Sequence, residues 1–254
     1  MREPFIPPAE DPVVSQAGDW TLHAYKTVTS TNLVGAALPA WHAIRSESQT
    51  AGRGRFQRTW VSDQGGLWLS AVVPTGSAAD AHCLPLVVGF SVCNLLSSLG
   101  VNQLRMRWPN DILAGDRKLA GLLIDQFQPG LAVAGIGINV YNNPEAADPG
   151  LANHTARLGG LISPCPSLAE LTVLVLSSVR DAVQEVQSFG FAHLLPRINA
   201  LWGGPRTVEL DLDGTLRRGT FVGVDAHGRL LLAGTPAGLT TAFESHQVRH
   251  LQEI

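Results

Sequence analysis

The sequence predicts an α+β fold in which a large domain of strands and helices precedes a small β-barrel. Up to about residue 202, strand-like apolar runs alternate with long segments of helical periodicity. From Thr207 onward, short strand-like runs are separated by turn signals, which is typical of a barrel of about fifty residues. The turn-forming segment Gly203-Gly204-Pro205 lies between these two sequence patterns. The predicted boundaries are therefore 1–18 for a tail, 19–203 for the large domain and 204–254 for the small domain.

Bulk composition limits the function classes open to the chain. With 254 residues, 45% apolar and 15% charged, it can bury a sizeable core and is not expected to be disordered. A net charge of −3 argues against the broad basic face of a protein that coats nucleic acid. The amino-terminal residues lack the apolar stretch of a signal peptide, and no run approaches the ~20 apolar residues that span a bilayer. The three cysteines form no CxxC pair, which fits a reducing compartment. We therefore predict a cytoplasmic protein with no nucleic-acid and no membrane partner.

The first half of the chain predicts a tail, three strands and two helices. Residues 1–18 are rich in proline and acidic residues and show no periodicity, so they are predicted to form a tail. Ser30-Thr31-Asn32 offers cap oxygens for a short helix that Pro39 ends, and Gly100 terminates a long helix. The strands are predicted at 21–28, 43–47 and 66–73, and the helices at about 32–38 and 80–99.

The second half predicts a hairpin, a further strand and two more helices. Apolar spacing at i, i+3 and i+4 indicates helices over 168–189 and 191–202, and residues 141–160 lack any pattern and are predicted to be a loop. The strands are predicted at 104–108, at 112–113 paired with 118–126, and at 131–140. The turns of the small domain are predicted at Asp213-Gly214, His227-Gly228 and Pro236-Ala237-Gly238.

The most informative segment is the glycine–arginine loop, residues 48–60. It places Arg53, Arg55 and Arg58 among two glycines, Gly52 and Gly54. Glycine lets the backbone fold closely over a ligand, and the guanidinium group is a planar donor fork suited to carboxylate and phosphate. The segment therefore predicts a loop that orders over an anionic ligand, with a basic turn that binds nothing as the alternative.

Three other segments carry polar groups at positions where a fold can aim them. Ser30-Thr31-Asn32 lies at a strand-to-helix turn, where it could bind a polar ligand head or simply cap the helix. Lys118 comes early in a predicted strand after the restrained turn Pro109-Asn110-Asp111, so it is either aimed into a pocket or exposed. The pair of glycines in Gly135–Asn139 is a weak motif by itself.

Together these segments resemble the biotin protein ligase family, from Thr29 to the carboxyl terminus. The family's GRGRxxRxW, KWPND, RKxxG and GxGxN motifs are matched, in the same order, by Gly52–Trp60, Arg107–Asp111, Arg117–Gly121 and Gly135–Asn139. One position departs from the pattern, since Arg107 replaces the family's usual lysine and keeps the charge with a different donor geometry.

The resemblance implies a fold and a reaction. The fold is a mixed β-sheet flanked by helices with a carboxyl-terminal SH3-like β-barrel. The reaction joins the biotin carboxylate to the α-phosphate of ATP, with Mg²⁺ on the phosphates, and gives biotinyl-5′-AMP. A lysine of a biotin carboxyl carrier protein or domain, belonging to a biotin-dependent carboxylase, then takes the biotin. Many members carry an amino-terminal winged helix that binds an operator; the short tail here implies the monofunctional type, as a monomer or homodimer.

The resemblance also assigns site residues. Lys118, Arg55 and Asp111 are implied to be catalytic, and Trp60 is implied to form part of an adenine wall. Asp111 could be a base for the carrier lysine, a Mg²⁺ ligand or a turn cap. Gly121 and Gly137 are expected to leave space for ligand. The biotin set is Ser30, Thr31, Asn32, Gln49, Arg53, Gly54, Arg55, Lys118 and Gly121, and the nucleotide set is Arg58, Trp60, Asn110, Lys118, Gly137 and Asn139.

Two alternative functions remain open at this point. A lipoate– or octanoate–protein ligase would use the same adenylation chemistry, although the GRGRxxRxW and RKxxG matches favour biotin. A regulator that only binds biotinyl-AMP or DNA is opposed by the net charge of −3. No protein metal site is expected, because His154 and His193 lack the spacing of metal ligands.

Overall fold

The computed structural model describes residue 8 and residues 10–76, 78–234 and 238–254. The strands are β1 (Val13–Ala17), β2 (Trp20–Val28), β3 (His42–Gln49), β4 (Leu67–Pro74), β5 (Leu104–Arg107), β6 (Asp111–Ala114), β7 (Arg117–Gln128), β8 (Leu131–Ile138), β9 (Arg206–Leu212), β10 (Thr215–Val224), β11 (Leu230–Ala233), β12 (Thr240–Phe243) and β13 (His250–Glu253). The helices are α1 (Thr31–Gly35), α2 (Ala78–Ser98), α3 (Pro144–Ala147), α4 (Leu168–Phe189) and α5 (Phe191–Ala200). The turn predicted at Pro236-Ala237-Gly238 falls mainly on residues 236 and 237, outside the described residues.

An eight-stranded mixed sheet organises the larger part of the molecule. Its strand order is β1-β2-β3-β4-β8-β7-β6-β5, and β2 and β3 run parallel while the other neighbours run antiparallel. Helices α2 and α4 cover one face, where alternate β4 residues such as Leu69 and Ala71 join the main core. Helix α1 lies on the other face, where Val34 packs against Val72 and Val133. The predicted mixed sheet with flanking helices is confirmed.

Helix α4 forms where apolar spacing coincides with cap chemistry. Helix α4 begins with a capping box, in which Ser167 Oγ accepts from the Glu170 backbone N–H and the Glu170 carboxylate accepts from that of Ser167. Its buried residues include Leu171, Val175 and Val179, on one helical face.

Helix α2 is more apolar than the sequence expectation allowed. The window Ala81–Ser98 has a mean hydropathy of 1.5 and meets the length and composition of a membrane span. Of this window, a share of 61% is buried inside the protein, and the helix packs against α4, β5 and β7. This is the environment of a core helix.

The predicted tail contains a strand, so that part of the prediction is wrong. Residues Val13–Ala17 form β1, which pairs antiparallel with β2 at the sheet edge. Val13 and Val14 are 72% and 55% exposed. Because this edge strand buries only Ala17, its sequence shows no alternation, and the ladder to β2 is its main contact.

Two further differences concern chain segments near the sheet. Helix α1 ends at Gly35 rather than near Leu38, because a glycine is a poor helix former and this one packs closely on Ile44 and Val133. The predicted loop 141–160 contains the short helix α3 and brief 3₁₀ turns.

The carboxyl-terminal strands form a separate antiparallel sheet in the order β12-β11-β10-β9-β13. This confirms a small carboxyl-terminal β-structure after the Gly203-Gly204-Pro205 signal. It is joined to the larger sheet by specific contacts: the Trp108 indole N–H donates to the Gly228 carbonyl at 3.1 Å, and Arg105 forms two hydrogen bonds with the Glu253 carboxylate. These contacts bring the chain end next to the turn that follows β5.

Candidate active site

The site lies on the α1 face of the mixed sheet, where strand alternation gathers polar and glycine positions. Trp68 on β4, Gly137 on β8 and Gly121 on β7 are register partners across three neighbouring strands. Ser70 and Gly135 form the next row on the same face. A cavity of about 280 Å³ opens above these rows.

The cavity collects every site residue that the sequence analysis assigned. Its walls are α1, the glycine–arginine loop, the β5–β6 turn, β7, β8 and the segment before β13. The assigned residues lining it are Ser30, Thr31, Asn32, Gln49, Arg53, Gly54, Arg55, Arg58, Trp60, Asn110, Asp111, Lys118, Gly121, Gly137 and Asn139.

The strand-to-helix turn is capped from outside the helix. Ser30 occupies the N-cap position but makes no side-chain cap hydrogen bond, so the simple cap interpretation of this serine is wrong. The Gln49 amide oxygen instead accepts from the Thr31 backbone N–H at 2.8 Å and from its hydroxyl at 3.1 Å. Gln49 Nε2 donates to Ser62 Oγ at 2.8 Å. The start of α1 is thereby tied to the beginning of the glycine–arginine loop.

Asp125 on β7 pairs with the first arginine of the loop. Its Oδ2 lies 2.6 Å from Arg53 Nη2 and 2.9 Å from Asn32 Nδ2. Asn32 Nδ2 also donates to the Leu123 carbonyl at 3.1 Å, and Ser70 Oγ lies 2.6 Å from Asn32 Oδ1. The Asn32 amide is therefore held from both ends by the protein.

The other two loop arginines contact the carboxyl-terminal segment. Arg55 donates to the carbonyls of Ser245 and Val248, and Arg58 donates to the Arg249 carbonyl at 3.3 Å. The Arg249 guanidinium in turn lies over the Phe56 ring, 4.6 Å from its centroid. Burial lowers the pKa of the Arg55 guanidinium to about 10, which leaves it charged at neutral pH. The loop is folded against the small sheet.

Lys118, Asp111 and Arg107 form a compact ion triad. Lys118 Nζ lies 2.7 Å from Asp111 Oδ1, and Arg107 Nη2 lies 2.7 Å from Asp111 Oδ2. Burial by itself would raise the pKa of the Asp111 carboxyl, but Lys118 and then Arg107 outweigh it and hold that pKa below its ordinary value. Both carboxylate oxygens are engaged by cations, which disfavours the base and the metal-ligand interpretations in this arrangement. No cap hydrogen bond from this side chain supports the turn-cap interpretation within the described residues.

Trp60 occupies the space that Gly121 and Gly137 were expected to leave for ligand. A Cβ atom built on Gly137 would lie 2.6 Å from Trp60 Nε1, and one built on Gly121 would lie 2.9 Å from Trp60 Cζ3. The indole packs edge-on against Trp68, and Lys118 Nζ lies 4.8 Å from the indole centroid. The indole therefore fills the space directly above the two glycines, although both glycines also line the cavity, and their role towards a ligand stays a prediction. The Trp60 indole N–H is buried and has no partner among the described residues.

Two asparagines of the assigned set anchor the strands beside Lys118. Asn110 Nδ2 donates to the Leu122 carbonyl at 2.7 Å, which fixes the β5–β6 turn against β7. Asn139 Oδ1 accepts from Asn142 Nδ2 at 3.0 Å, and both asparagines are 2% exposed. The amide orientation of Asn139 is thus set by a buried neighbour.

Comparisons with known proteins show which family the chain belongs to. Residues 35–142 match the model of the biotin/lipoate A/B protein ligase family. A biotin–[acetyl-CoA-carboxylase] ligase of Paracoccus denitrificans is 31% identical over 222 residues, which cover 80% of this chain and 88% of that protein. The chain belongs to the biotin protein ligase family.

Other members of the family are longer or share mainly the fold. The bifunctional ligase/repressor BirA of Escherichia coli is 32% identical over 206 residues, covering 77% of this chain but 62% of that protein. The chain likewise covers 65% of the Bacillus subtilis BirA, so it spans less than two thirds of these relatives. The structure of an Aquifex aeolicus biotin protein ligase in complex with biotin and ATP superposes with a TM-score of 0.81 at 24% identity, covering 92% of this chain and 99% of that one.

Some residues of this family member's site escaped the sequence analysis. Asp125 carried a usable signal, because it lies on the same strand face as Gly121 and Leu123, at the end of an otherwise apolar run. Asn142 follows the last glycine motif closely, but nothing local marks it as buried. The segment Val248–Leu251 lines the cavity from more than a hundred residues away, and no local pattern could have found it.

Proposed function

We propose that the protein is an ATP-dependent biotin–protein ligase. It activates biotin as biotinyl-5′-AMP and transfers the biotin to a lysine of a biotin carboxyl carrier protein or domain. The observation that carries the proposal is the charge of the cavity. Among the residues that the structure describes, six cationic side chains line it against one carboxylate, in a chain of net charge −3. The cations are Arg53, Arg55, Arg58, Arg107, Lys118 and Arg249, and the carboxylate is Asp111.

A positive cavity is what the first step requires. The biotin carboxylate must approach the α-phosphate of ATP, and both groups are anionic. Phosphoryl chemistry depends mainly on positioning and on electrostatic stabilisation by fixed donors. The positive charge of the cavity also acts on His250, which lines it: burial and the nearby Arg58 and Arg107 charges lower the pKa of this imidazole. Fixed cations in a partly enclosed cavity therefore support the meeting of two anions.

The arrangement supports a division of the cavity into two parts. Thr31, Gln49 and Arg53 lie at the α1 end, where hydroxyl, amide and guanidinium groups suit the polar head and the carboxylate of biotin. Arg58, Trp60 and Asn139 are assigned to the nucleotide, with the indole as an aromatic wall. Lys118 is assigned to the junction, where the carboxylate and the phosphoryl oxygens meet.

Asp111 is assigned the role of holding Lys118 in place. A carrier lysine has an ordinary pKa of ~10.4 and must lose a proton before it attacks. A carboxylate whose pKa is held below its ordinary value by two cations is a weak base for that proton. Its short contacts to Lys118 and Arg107 instead support an orienting function.

Mg²⁺ does not fit a protein cage here. The described residues contain no group of three or more His, Cys, Asp or Glu side chains that could hold a metal ion. Within the described part of the chain, Asp111 is the carboxylate lining the cavity, and both of its oxygens are paired with cations. We therefore propose that any Mg²⁺ arrives on the nucleotide phosphates, and no step is assigned to protein-bound metal.

The folded glycine–arginine loop supports a protective role during the reaction. An acyl-adenylate hydrolyses when water reaches it, so a segment that covers the intermediate preserves it. Arg55 and Arg58 join this loop to backbone carbonyls of the carboxyl-terminal segment. The small domain is thereby proposed to hold the cover over the intermediate.

The decisive experiment is mass spectrometry of a biotin-acceptor domain incubated with the protein, ATP, Mg²⁺ and biotin. We expect a mass gain of one biotin that depends on ATP. Parallel reactions with lipoate and octanoate separate the related ligases, and a gain with either of these but not with biotin would overturn the proposal. An unmodified acceptor, together with a biotin- and ATP-dependent DNA shift in a gel assay, would indicate the regulator instead.

A further inference from the structure

We infer that Asp125 is a positioning residue that fixes Arg53 for the carboxylate of the substrate. The inference rests on the proposed function, because it names the residue through which the biotin end of the cavity is organised. Asp125 itself does not line the cavity, whereas Arg53 and Asn32, its two partners, both do. It therefore acts through its neighbours and is not a catalytic residue.

The carboxylate connects three elements that the chain brings together from distant positions. Asp125 belongs to β7, Asn32 to α1, and Arg53 to the glycine–arginine loop. A single oxygen, Oδ2, accepts from both partners at 2.9 Å and 2.6 Å. A charge-assisted hydrogen bond of this length is among the stronger polar contacts in proteins. Removing this carboxylate would release the loop and α1 from β7 at one point.

The Asn32 side chain links Asp125 to α1, and few of its hydrogen-bonding groups remain for a ligand. Its amide nitrogen donates to Asp125 and to the Leu123 carbonyl, and an amide nitrogen has two hydrogens. Its amide oxygen lies 2.6 Å from Ser70 Oγ and would lie 2.4 Å from a Cβ atom on Gly135, so the side chain is enclosed. The expectation that Asn32 meets the biotin head is therefore replaced by a supporting role.

Arg53, in contrast, has an N–H donor that is not paired within the described residues. Its Nε is buried and has no partner among the described residues, although Nη2 is paired with Asp125. A buried unpaired donor is rare in native structures and calls for an explanation, of which a missing ligand is one. The guanidinium carries five N–H donors, so one carboxylate on Nη2 leaves room for a second acceptor. Asp125 and a substrate carboxylate can therefore bind Arg53 at the same time.

Asp125 is expected to strengthen biotin binding. This expectation distinguishes a residue that positions Arg53 from one that competes with biotin for Arg53. If Asp125 competed with the substrate for Arg53, its removal would strengthen biotin binding. If it positions Arg53, its removal lets the arginine and the loop move, and binding weakens. Without Arg53, an unpaired Asp125 would repel the substrate carboxylate, so its removal should then cost nothing further.

The test is calorimetric titration of biotin into the full-length protein. The variants are Asp125→Ala, Asp125→Asn, Arg53→Ala and the double variant Arg53→Ala/Asp125→Ala. Asp19→Asn is the matched control, because it breaks an Asp–Arg pair with Arg180 away from the cavity. Thermal unfolding of each variant verifies that it folds, and Asp125→Asn keeps the side-chain shape should the alanine variant fail.

We expect Asp125→Ala to weaken biotin binding about tenfold or more, and Asp125→Asn by less, as for loss of a charged hydrogen-bond partner. In biotin-dependent ATP–pyrophosphate exchange, KM for biotin should rise while KM for ATP stays within about twofold, a split that general loosening of the fold would not give. The double variant should bind no more weakly than Arg53→Ala alone.

Three outcomes would overturn the inference. They are unchanged or tighter biotin binding in folded Asp125→Ala and Asp125→Asn, equal losses from removing Asp125 with and without Arg53, and a parallel rise of both KM values. Failure of the proposed function is separate, because the unmodified protein would then bind no biotin in the first titration.

Discussion

Lys118→Ala is the most direct test of the electrostatic reasoning about the cavity. Lys118 is one of two lysines in the chain, and its ammonium group lies 2.7 Å from Asp111 and 4.8 Å from the Trp60 ring centroid. Its side chain is 27% exposed, so it is neither deeply buried nor free in solvent. The substitution removes one fixed cation from the proposed meeting point of carboxylate and phosphate.

The expected loss in rate is large and the expected loss in stability is small. Removing one donor that stabilises developing charge commonly costs ~3–4 kcal/mol, or about 10²–10³ in rate. Asp111 keeps its 2.7 Å pair with Arg107, so the buried carboxylate is not left alone. A charged hydrogen bond contributes about 1.5–3 kcal/mol, and partial exposure of Lys118 screens this one, so we expect the free energy of unfolding to fall by about 1–2 kcal/mol.

The assay is biotin-dependent ATP–pyrophosphate exchange, with thermal unfolding as the measure of folding. Lys26→Ala is the matched control, because Lys26 is the other lysine and is exposed on β2. Lys118→Arg keeps the charge and should recover part of the rate. Exchange within about threefold of the unmodified protein, in a folded Lys118→Ala variant, would refute the assignment of Lys118 to the reacting groups.

Three other predictions follow from the site geometry. The pKa of Asp111 is depressed in the folded state, so its ion pairs stabilise the fold above the unfolded pKa of ~3.9. This contribution is lost as the pH falls through the lower, folded pKa. The unfolding temperatures of the unmodified protein and of Asp111→Asn should therefore differ most near neutral pH and converge in acid. A pH-independent difference would contradict this. Gly137→Ala should displace Trp60, lower the free energy of unfolding by about 1–3 kcal/mol and raise KM for ATP, whereas Gly160→Ala, which meets nothing within 4 Å, should do neither. Arg55→Ala should increase the release of free biotinyl-AMP in a filter or chromatographic assay while the acceptor is absent, and unchanged release would count against a covering role for the loop.

The sequence was a good guide wherever the signal was local. The strand β8 and the helix α4 were predicted at nearly their observed bounds, because a short apolar run and helical spacing report directly on burial. The strand β1 was missed because its valines are exposed and only pairing with β2 defines it. The site residues were assigned by resemblance to motifs, and the structure brings that whole set to one cavity.

Contacts made by those residues could not be read from the chain. That Arg53 would face Asp125, or that Asp111 would lie between Lys118 and Arg107, depends on which strand faces align across the sheet. The same holds for Trp60, whose indole fills the space above two glycines on neighbouring strands. Register across strands is a cooperative property, and a motif one strand long does not contain it.

By itself, the sequence determined which reactive groups the protein carries: a loop with three guanidinium groups and two glycines, one lysine early in a strand, and a pair of glycines in a further strand. These follow from composition and spacing along the chain, because side-chain chemistry and local backbone preference are properties of neighbouring residues. The tertiary structure decided which charges are paired and which donors stay free, including the closure of the loop by residues 245–249 from the far end of the chain. Those outcomes depend on packing between distant segments. Burial there removes water as a competing partner, so a paired polar group is strengthened and an unpaired one is destabilising.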